Sequence, residues 1–311
     1  MSKARIFIVG CSRSGTTLVQ SMLAAHPGLV SFPETQFFQY VAGYSEARLF
    51  GPERGKRRSL FGAARSRMRR MLRLSSAAIR EPFETIAASW QSVPPRSPRC
   101  FPCMPYALAC REFRALTDTI AEQVDAIGWV EKTPGHVHYV ELIERYFPDA
   151  AVVHVVREGL EVVRSLRTAA ERYPGSHWSD MYPNVERCVW RWNQAIRDTT
   201  AVADRRNHHI VRFEDLLSFP RETVHALCTA LDLDFRPEMI HERDKTAPAL
   251  YSAEREPWKT KVTAPVGKGV TRQDQILTEA EESWARGHLL STDAVDRWAI
   301  RPKHAKSRPI H

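Results

Sequence analysis

No stretch of this chain approaches the run of about 18 apolar residues that a membrane-spanning helix needs, so a helical span is set aside. No internal repeat recurs, which excludes a repeat array. Of the six cysteines (11, 100, 103, 110, 188 and 228), Cys100-Phe-Pro-Cys103 forms a lone CxxC. The second pair that a structural zinc site would want is missing, which leaves a redox or disulfide pair or plain thiols. The chain passes from Met1-Ser2-Lys3-Ala4-Arg5 straight into the strand-like Ile6-Phe7-Ile8-Val9, so a secretory leader is not expected. A cytoplasmic location is therefore expected. Finally, acidic residues are absent from Arg54 to Arg80, where ten basic ones occur. Setting those ten against the net charge of +9 leaves the rest of the chain at −1. This is a neutral globule carrying one strongly basic segment.

The 311 residues, 43% apolar and 26% charged, have ordinary globular values and exclude general disorder. About 75% of the unfolded chain's surface can be buried at this length, so neither disulfides nor metal are needed for a core. Strand-like runs fall at Arg5–Val9, Leu29–Phe32, Trp129–Glu131, Ala151–Val156 and His209–Phe213, with helical patterns at about 15–25, 136–147, 158–172, 185–204 and 220–231. The alternation predicts an α/β fold, a parallel sheet flanked by helices. Residues 43–127 break the rhythm. They hold the basic segment, the proline-rich Val93-Pro94-Pro95-Arg96-Ser97-Pro98, and an apolar pattern through Phe113, Leu116, Ile120, Val124 and Ile127. The expectation is one domain over 1–301, with 43–127 an inserted, mainly helical cap and 302–311 a polar tail.

After the first strand comes Gly10-Cys-Ser-Arg-Ser-Gly15-Thr16-Thr17-Leu18. A strand, a glycine-bounded loop and a helix together present backbone N–H groups and a helix N-terminus to a phosphate. The pattern resembles GxxxxGK[ST], but Thr16 stands where a nucleotide-triphosphate loop has lysine, and the cation is Arg13. A magnesium-holding Asp is missing too, because the strand Ala151–Val156 ends in Arg157. An anionic donor handled without metal suits this set.

Arg13-Ser-Gly-Thr-Thr-Leu18, followed by His26-Pro27, resembles the 5′-phosphosulfate loop of sulfotransferases, closest to the tyrosylprotein sulfotransferase-like branch with its bacterial relatives. Three further segments agree in order: Glu131-Lys-Thr-Pro134, with Tyr146-Phe-Pro-Asp149 at the end of the following helix; Val155-Val-Arg157 with Ser165; and Val211-Arg-Phe-Glu-Asp-Leu216. The resemblance implies a P-loop-type fold and 3′-phosphoadenosine 5′-phosphosulfate (PAPS) as sulfuryl donor, with no metal required. It implies that Arg13, Ser14, Gly15, Thr16 and Thr17 bind the donor's 5′ side and that Arg157 and Ser165 bind its 3′-phosphate. Spacing alone would bring Arg157 and Ser165 together only if a loop precedes the helix. Lys268, in Gly267-Lys268-Gly269, resembles a further 3′-phosphate contact. Phe213 stands where the family often has Tyr, which removes a hydroxyl.

Sulfuryl transfer needs donor and acceptor in line, charge neutralised on the leaving phosphate, and the acceptor's proton removed. Arg13 and Lys132 fit the second task. Glu34 is the expected base by its place in the resemblance, among Phe32, Pro33, Phe37 and Phe38, whose apolar surroundings would raise its basicity. His136 is the second candidate base. The acceptor is expected to be a hydroxyl or amine of a small-molecule, carbohydrate or lipid-linked compound. Within the basic segment, Phe61, Ala64, Met68, Met71 and Leu72 recur at helical spacing beside Arg65, Arg69 and Arg73. That amphipathic pattern fits a peripheral contact with the inner membrane surface or an anionic acceptor, or a cap helix packed through its apolar stripe. No nucleic-acid fold accompanies the charge, so nucleic acid is not an expected partner. The competing readings are a P-loop kinase or phosphotransferase and a non-catalytic membrane-surface or anion-binding protein.

Overall fold

The computed structural model describes residues 3–43, 60–90, 103–175, 177–242, 245, 250 and 276–301. Five strands, β1 (Ala4–Gly10), β2 (Leu29–Phe32), β3 (Gly128–Lys132), β4 (Ala151–Val156) and β5 (His208–Arg212), form one parallel sheet in the order β2-β3-β1-β4-β5. Helices α1 (Thr16–Ala24), α2 (Phe37–Ala42), α3 (Leu60–Met71), α4 (Glu81–Ser89) and α5 (Tyr106–Gln123) precede β3 or lead into it. A 3-10 turn (Pro134–Tyr139), α6 (Val140–Tyr146), α7 (Gly159–Arg172), α8 (Val185–Thr200), α9 (Pro220–Ala230) and α10 (Glu279–His288) complete the layers.

The strands are buried on both sides because alternate residues serve two cores. Ile6, Ile8, Val130 and Val153 face α1 and α9, while Phe7, Val9, Trp129 and Val152 face the helices of the opposite layer. That second core is aromatic. Phe37 stacks on Phe113 at 4.1 Å between centroids, and Phe7 meets Trp129 edge-on at 5.3 Å. Such rings bury large areas in defined orientations. Phe37 and Phe38 thereby pin α2, the short helix that follows Glu34, to the sheet. Arg5 holds α5 in the same layer through Asp118, which also accepts from the Trp129 indole at 2.8 Å.

β1 connects through α1 to β2 on one side, whereas β4 connects through α7 and α8 to β5 on the other. The connections that leave the carboxyl ends of these adjacent strands therefore diverge, and this is where an open α/β sheet leaves a ligand crevice. Residues 276–301 return to the β5 side. Asn193 clamps them by donating to the His288 carbonyl at 2.8 Å and accepting from Leu290 N–H at 3.0 Å. Ile300 N–H reaches the Ile210 carbonyl at 2.8 Å.

The expected strands and helices sit within a few residues of their observed bounds, with two differences. The pattern at 136–147 divides into the 3-10 turn and α6, because Pro134 opens a tight turn. The apolar pattern that ran to Ile127 stops as a helix at Gln123, and Val124 and Ile127 are exposed. Cys11, Cys103, Cys110, Cys188 and Cys228 are free thiols. Cys100, Lys268 and the tail 302–311 lie outside the described residues. No described helix is long and apolar enough to cross a membrane.

Candidate active site

The loop after β1 is tightly constrained. A Cβ on Gly10 would stand 2.5 Å from the Val155 carbonyl oxygen, so the strand end needs glycine where it lies against β4. Gly15 caps α1 at φ 95°, and a Cβ there would meet the Phe213 ring at 2.2 Å. Between them Arg13 holds φ 73°, a left-handed conformation that costs a non-glycine residue roughly 1–3 kcal/mol. The first helical hydrogen bond in this turn runs from Leu18 N–H to the Gly15 carbonyl at 2.9 Å. The amides of Thr16 and Thr17 therefore lie at an open helix N-terminus. The Ser14 hydroxyl is buried with no hydrogen-bond partner. The loop thus offers unsatisfied donors where an anion is expected.

Three cofactor-side residues converge here, in an order that spacing did not give. Ser165 does not meet Arg157 directly; α7 starts at Gly159, with no long loop before it. Arg13 lies between them instead. Its Nε donates to Ser165 Oγ at 3.0 Å, and its carbonyl accepts from Arg157 Nη1 at 3.2 Å. Burial, then the neighbouring Arg157 charge, holds the Arg13 guanidinium below its ordinary pKa, and no carboxylate pairs with it among the described residues. Burial likewise lowers Arg157, against the opposing pull of Glu161. Two desolvated cations side by side make a site that is completed by an anion.

Phe213 is the residue whose role the sequence concealed. Its ring lies under the Arg157 guanidinium at 4.8 Å and against Gly15, so it shapes both the cation and the loop through its face. Trp178, 6.0 Å from the Arg13 guanidinium, is a second such neighbour; no motif marked it.

At the end of β3 the chain turns two side chains in opposite directions. Lys132, fully buried, donates to Thr17 Oγ1 at 3.2 Å and pairs with Glu34. The Glu34 side chain is 22% exposed, so the carboxylate stands at the mouth of the crevice. Phe32, Phe37 and Phe38, its neighbours in sequence, are wholly buried in the aromatic core, and the carboxylate itself is ion-paired with Lys132.

Glu131 points the other way and is wholly buried, accepting from the Thr35 and Thr133 hydroxyls at 2.8 and 2.7 Å. Its Oε2 faces His136 Nδ1 at 3.0 Å. Burial works to raise this carboxyl, but His136 and the two hydroxyls outweigh it and hold it below its ordinary range. His136 Nε2 accepts from Phe38 N–H at 3.2 Å. With one ring nitrogen on the backbone and the other on Glu131, the buried His136 is not free to accept a substrate proton. The geometry makes it a brace between α2 and β3, not the base expected as second choice. A glutamate inside an apolar strand, five residues before a histidine, was the signal for this pair.

Residues 5–237 match the family model described as Sulfotransferase family. Protein-tyrosine sulfotransferase 2 of Gallus gallus is 23% identical over 243 residues, covering 77% of this chain and 54% of its own length. The chain thus spans about half the length of this curated relative. Among solved structures, the sulfotransferase domain of the Synechococcus PCC 7002 olefin synthase covers 92% of this chain and 94% of its own at 18% identity, with a TM-score of 0.50. Sulfotransferase STF1 of Mycobacterium tuberculosis H37Rv covers 84% and 77% at 16% identity, with a TM-score of 0.48. The olefin synthase domain carries the likeness of fold.

Proposed function

The chain belongs to the sulfotransferase family, and from that premise we propose that it moves a sulfuryl group from PAPS to a hydroxyl or amine of a small-molecule, carbohydrate or lipid-linked acceptor. The observation that carries this reading is the chain Glu34–Lys132–Thr17, which joins a carboxylate at the crevice mouth to the phosphate-type loop. The donor fits the residues present. The partnerless Ser14 hydroxyl and the open amides at the start of α1 suit a 5′-phosphate, and Arg157 suits a second anionic group. When bound, PAPS supplies the sulfuryl group and the phosphate that leaves. The backbone around Ser14–Thr17 holds that phosphate. Arg13, fixed through Nε by Ser165, presents its guanidinium fork, and Lys132 adds a second positive charge from β3. Glu34 takes the acceptor's proton. Ser165 acts on this reading through Arg13, and Lys268 remains assigned by resemblance alone.

A kinase would need lysine at Thr16 and a magnesium-holding Asp at the end of β4, where Arg157 stands. Calorimetry separates the two. Metal-independent binding of 3′,5′-adenosine bisphosphate, with ATP–Mg much weaker, is expected; the reverse order would remove PAPS as donor.

The exposed face of α3 supports a peripheral membrane contact. Met68, Met71 and Leu72 are 55%, 78% and 59% exposed, and Arg65, Arg67, Arg70 and Arg73 flank them. Met68, Met71 and Leu72 therefore face outward, which disfavours a cap helix packed through them. Apolar side chains framed by arginine suit an anionic bilayer, each cation adding about 1 kcal/mol near such a surface. The chain is expected to sediment with phosphatidylglycerol vesicles but not with phosphatidylcholine ones, and Met68→Ser/Met71→Ser/Leu72→Ser to abolish this. Equal sedimentation of the triple variant would end the membrane reading.

A further inference from the structure

Between α2 and α3 lies a cavity of about 160 Å³, lined by Gln39, Tyr40, Ser66, Arg69, Arg70 and Ser76 among others. Three of its lining side chains hold buried polar atoms with no hydrogen-bond partner: Gln39 Oε1, Arg69 Nε and Ser76 Oγ. Buried polar atoms are satisfied nearly everywhere in folded proteins, so three orphans around one void mark a place where something polar belongs. Gln39 is the most telling, being only 5% exposed. Neither Arg69 nor Arg70 forms an ion pair among the described residues, whereas the Tyr40 hydroxyl is already committed to Glu81.

One wall of the cavity is α2, the short helix that follows Glu34 of the proposed reacting centre. Gln39 packs against Gly135, three residues beyond Lys132, and Gly43 at its rim accepts from the Tyr139 hydroxyl at 3.2 Å. Gln39 follows Glu34 by five residues, the last three of them helical, which places the two within about 15 Å. An acceptor of modest size can span that distance.

The geometry points to this cavity as the acceptor's anion subsite, taking a phosphate, sulfate or carboxylate that carries neighbouring hydroxyls. Arg69 and Arg70 meet the anion, Ser76 and Ser66 donate to its oxygens, and the Gln39 amide pairs with a hydroxyl. The assignment rests on Glu34 and Lys132 being the reacting centre. The anionic group can belong to a soluble sugar phosphate or to a lipid headgroup, and the two sources differ in experiment.

The full chain is titrated with glucose 6-phosphate and with glucose, and separately with phosphatidylglycerol vesicles. Saturable binding of glucose 6-phosphate, at least tenfold tighter than glucose and lost at least tenfold in Arg69→Met and in Gln39→Leu, supports a soluble ligand. Vesicle binding that falls tenfold in the same two variants supports a headgroup. Binding of 3′,5′-adenosine bisphosphate is measured in parallel and is expected to be unchanged in both, which also shows that they fold. Binding of both probes that is indifferent to the two substitutions overturns the subsite, as does no preference for either anionic probe. Loss of the bisphosphate from the unmodified chain would overturn the reading of the reacting centre instead.

Discussion

Glu34→Gln is expected to bind 3′,5′-adenosine bisphosphate as the unmodified chain does and to lose a factor of about 10²–10⁴ in kcat. The size follows from what a positioned general base contributes. The choice of glutamine follows from Lys132. That ammonium is fully buried and paired with Glu34, and removing a buried partner outright costs about 3–5 kcal/mol of stability. Glutamine keeps an oxygen facing Nζ, which limits that cost, although the charge it removes is also the counter-ion of Lys132. The donor loop, on the far side of Lys132, keeps its Thr17 contact. A loss in kcat with bisphosphate affinity unchanged therefore places the effect at the reacting centre, in Glu34 and the Lys132 it neutralises, and not in donor binding. An unaltered kcat would take the base role away from Glu34. It would not pass to His136, whose ring nitrogens are held by Phe38 N–H and Glu131.

What could be read from the sequence was local. The strand, the glycine-bounded loop and the helix at 4–24 are set by contiguous residues, and so is the buried β4 run, because period and turn chemistry act over a few positions. The pairings that make the site were not legible, because they close over long separations. Arg13 to Ser165 crosses 152 positions, Arg157 to Arg13 crosses 144, and Lys132 to Glu34 crosses 98. At Glu34 the sequence offered three neighbouring phenylalanines, but not the buried Lys132 that pairs with the carboxylate. At α3 the helical period grouped Met68, Met71 and Leu72, but a period carries no information on which way such a group faces. Met68, Met71 and Leu72 face out, while Ser66 and Arg69 line the cavity.

Arg13→Lys is the second large effect expected. Lysine keeps the charge, yet kcat should fall by about 10²–10³, equivalent to roughly 2.7–4 kcal/mol of transition-state stabilisation. Arg13 does three things at one backbone position. Its carbonyl anchors Arg157, its Nε is held by Ser165, and its planar guanidinium lies 6.0 Å from the Trp178 ring. Only the first survives in lysine, since an ammonium on a flexible stem has no separate Nε to be held while its terminus points elsewhere. The strained φ of 73° is common to both residues, so backbone strain does not confuse the comparison. Ser165→Ala separates charge from aim. It leaves the guanidinium in place but releases Nε, and a loss of about tenfold is expected, the worth of one hydrogen bond to a charged group. Combining the two should cost little more than Arg13→Lys alone, because Ser165 acts through Arg13. Additive losses would instead give Ser165 a contact of its own with the donor's 3′-phosphate, the role that its resemblance to the family first suggested.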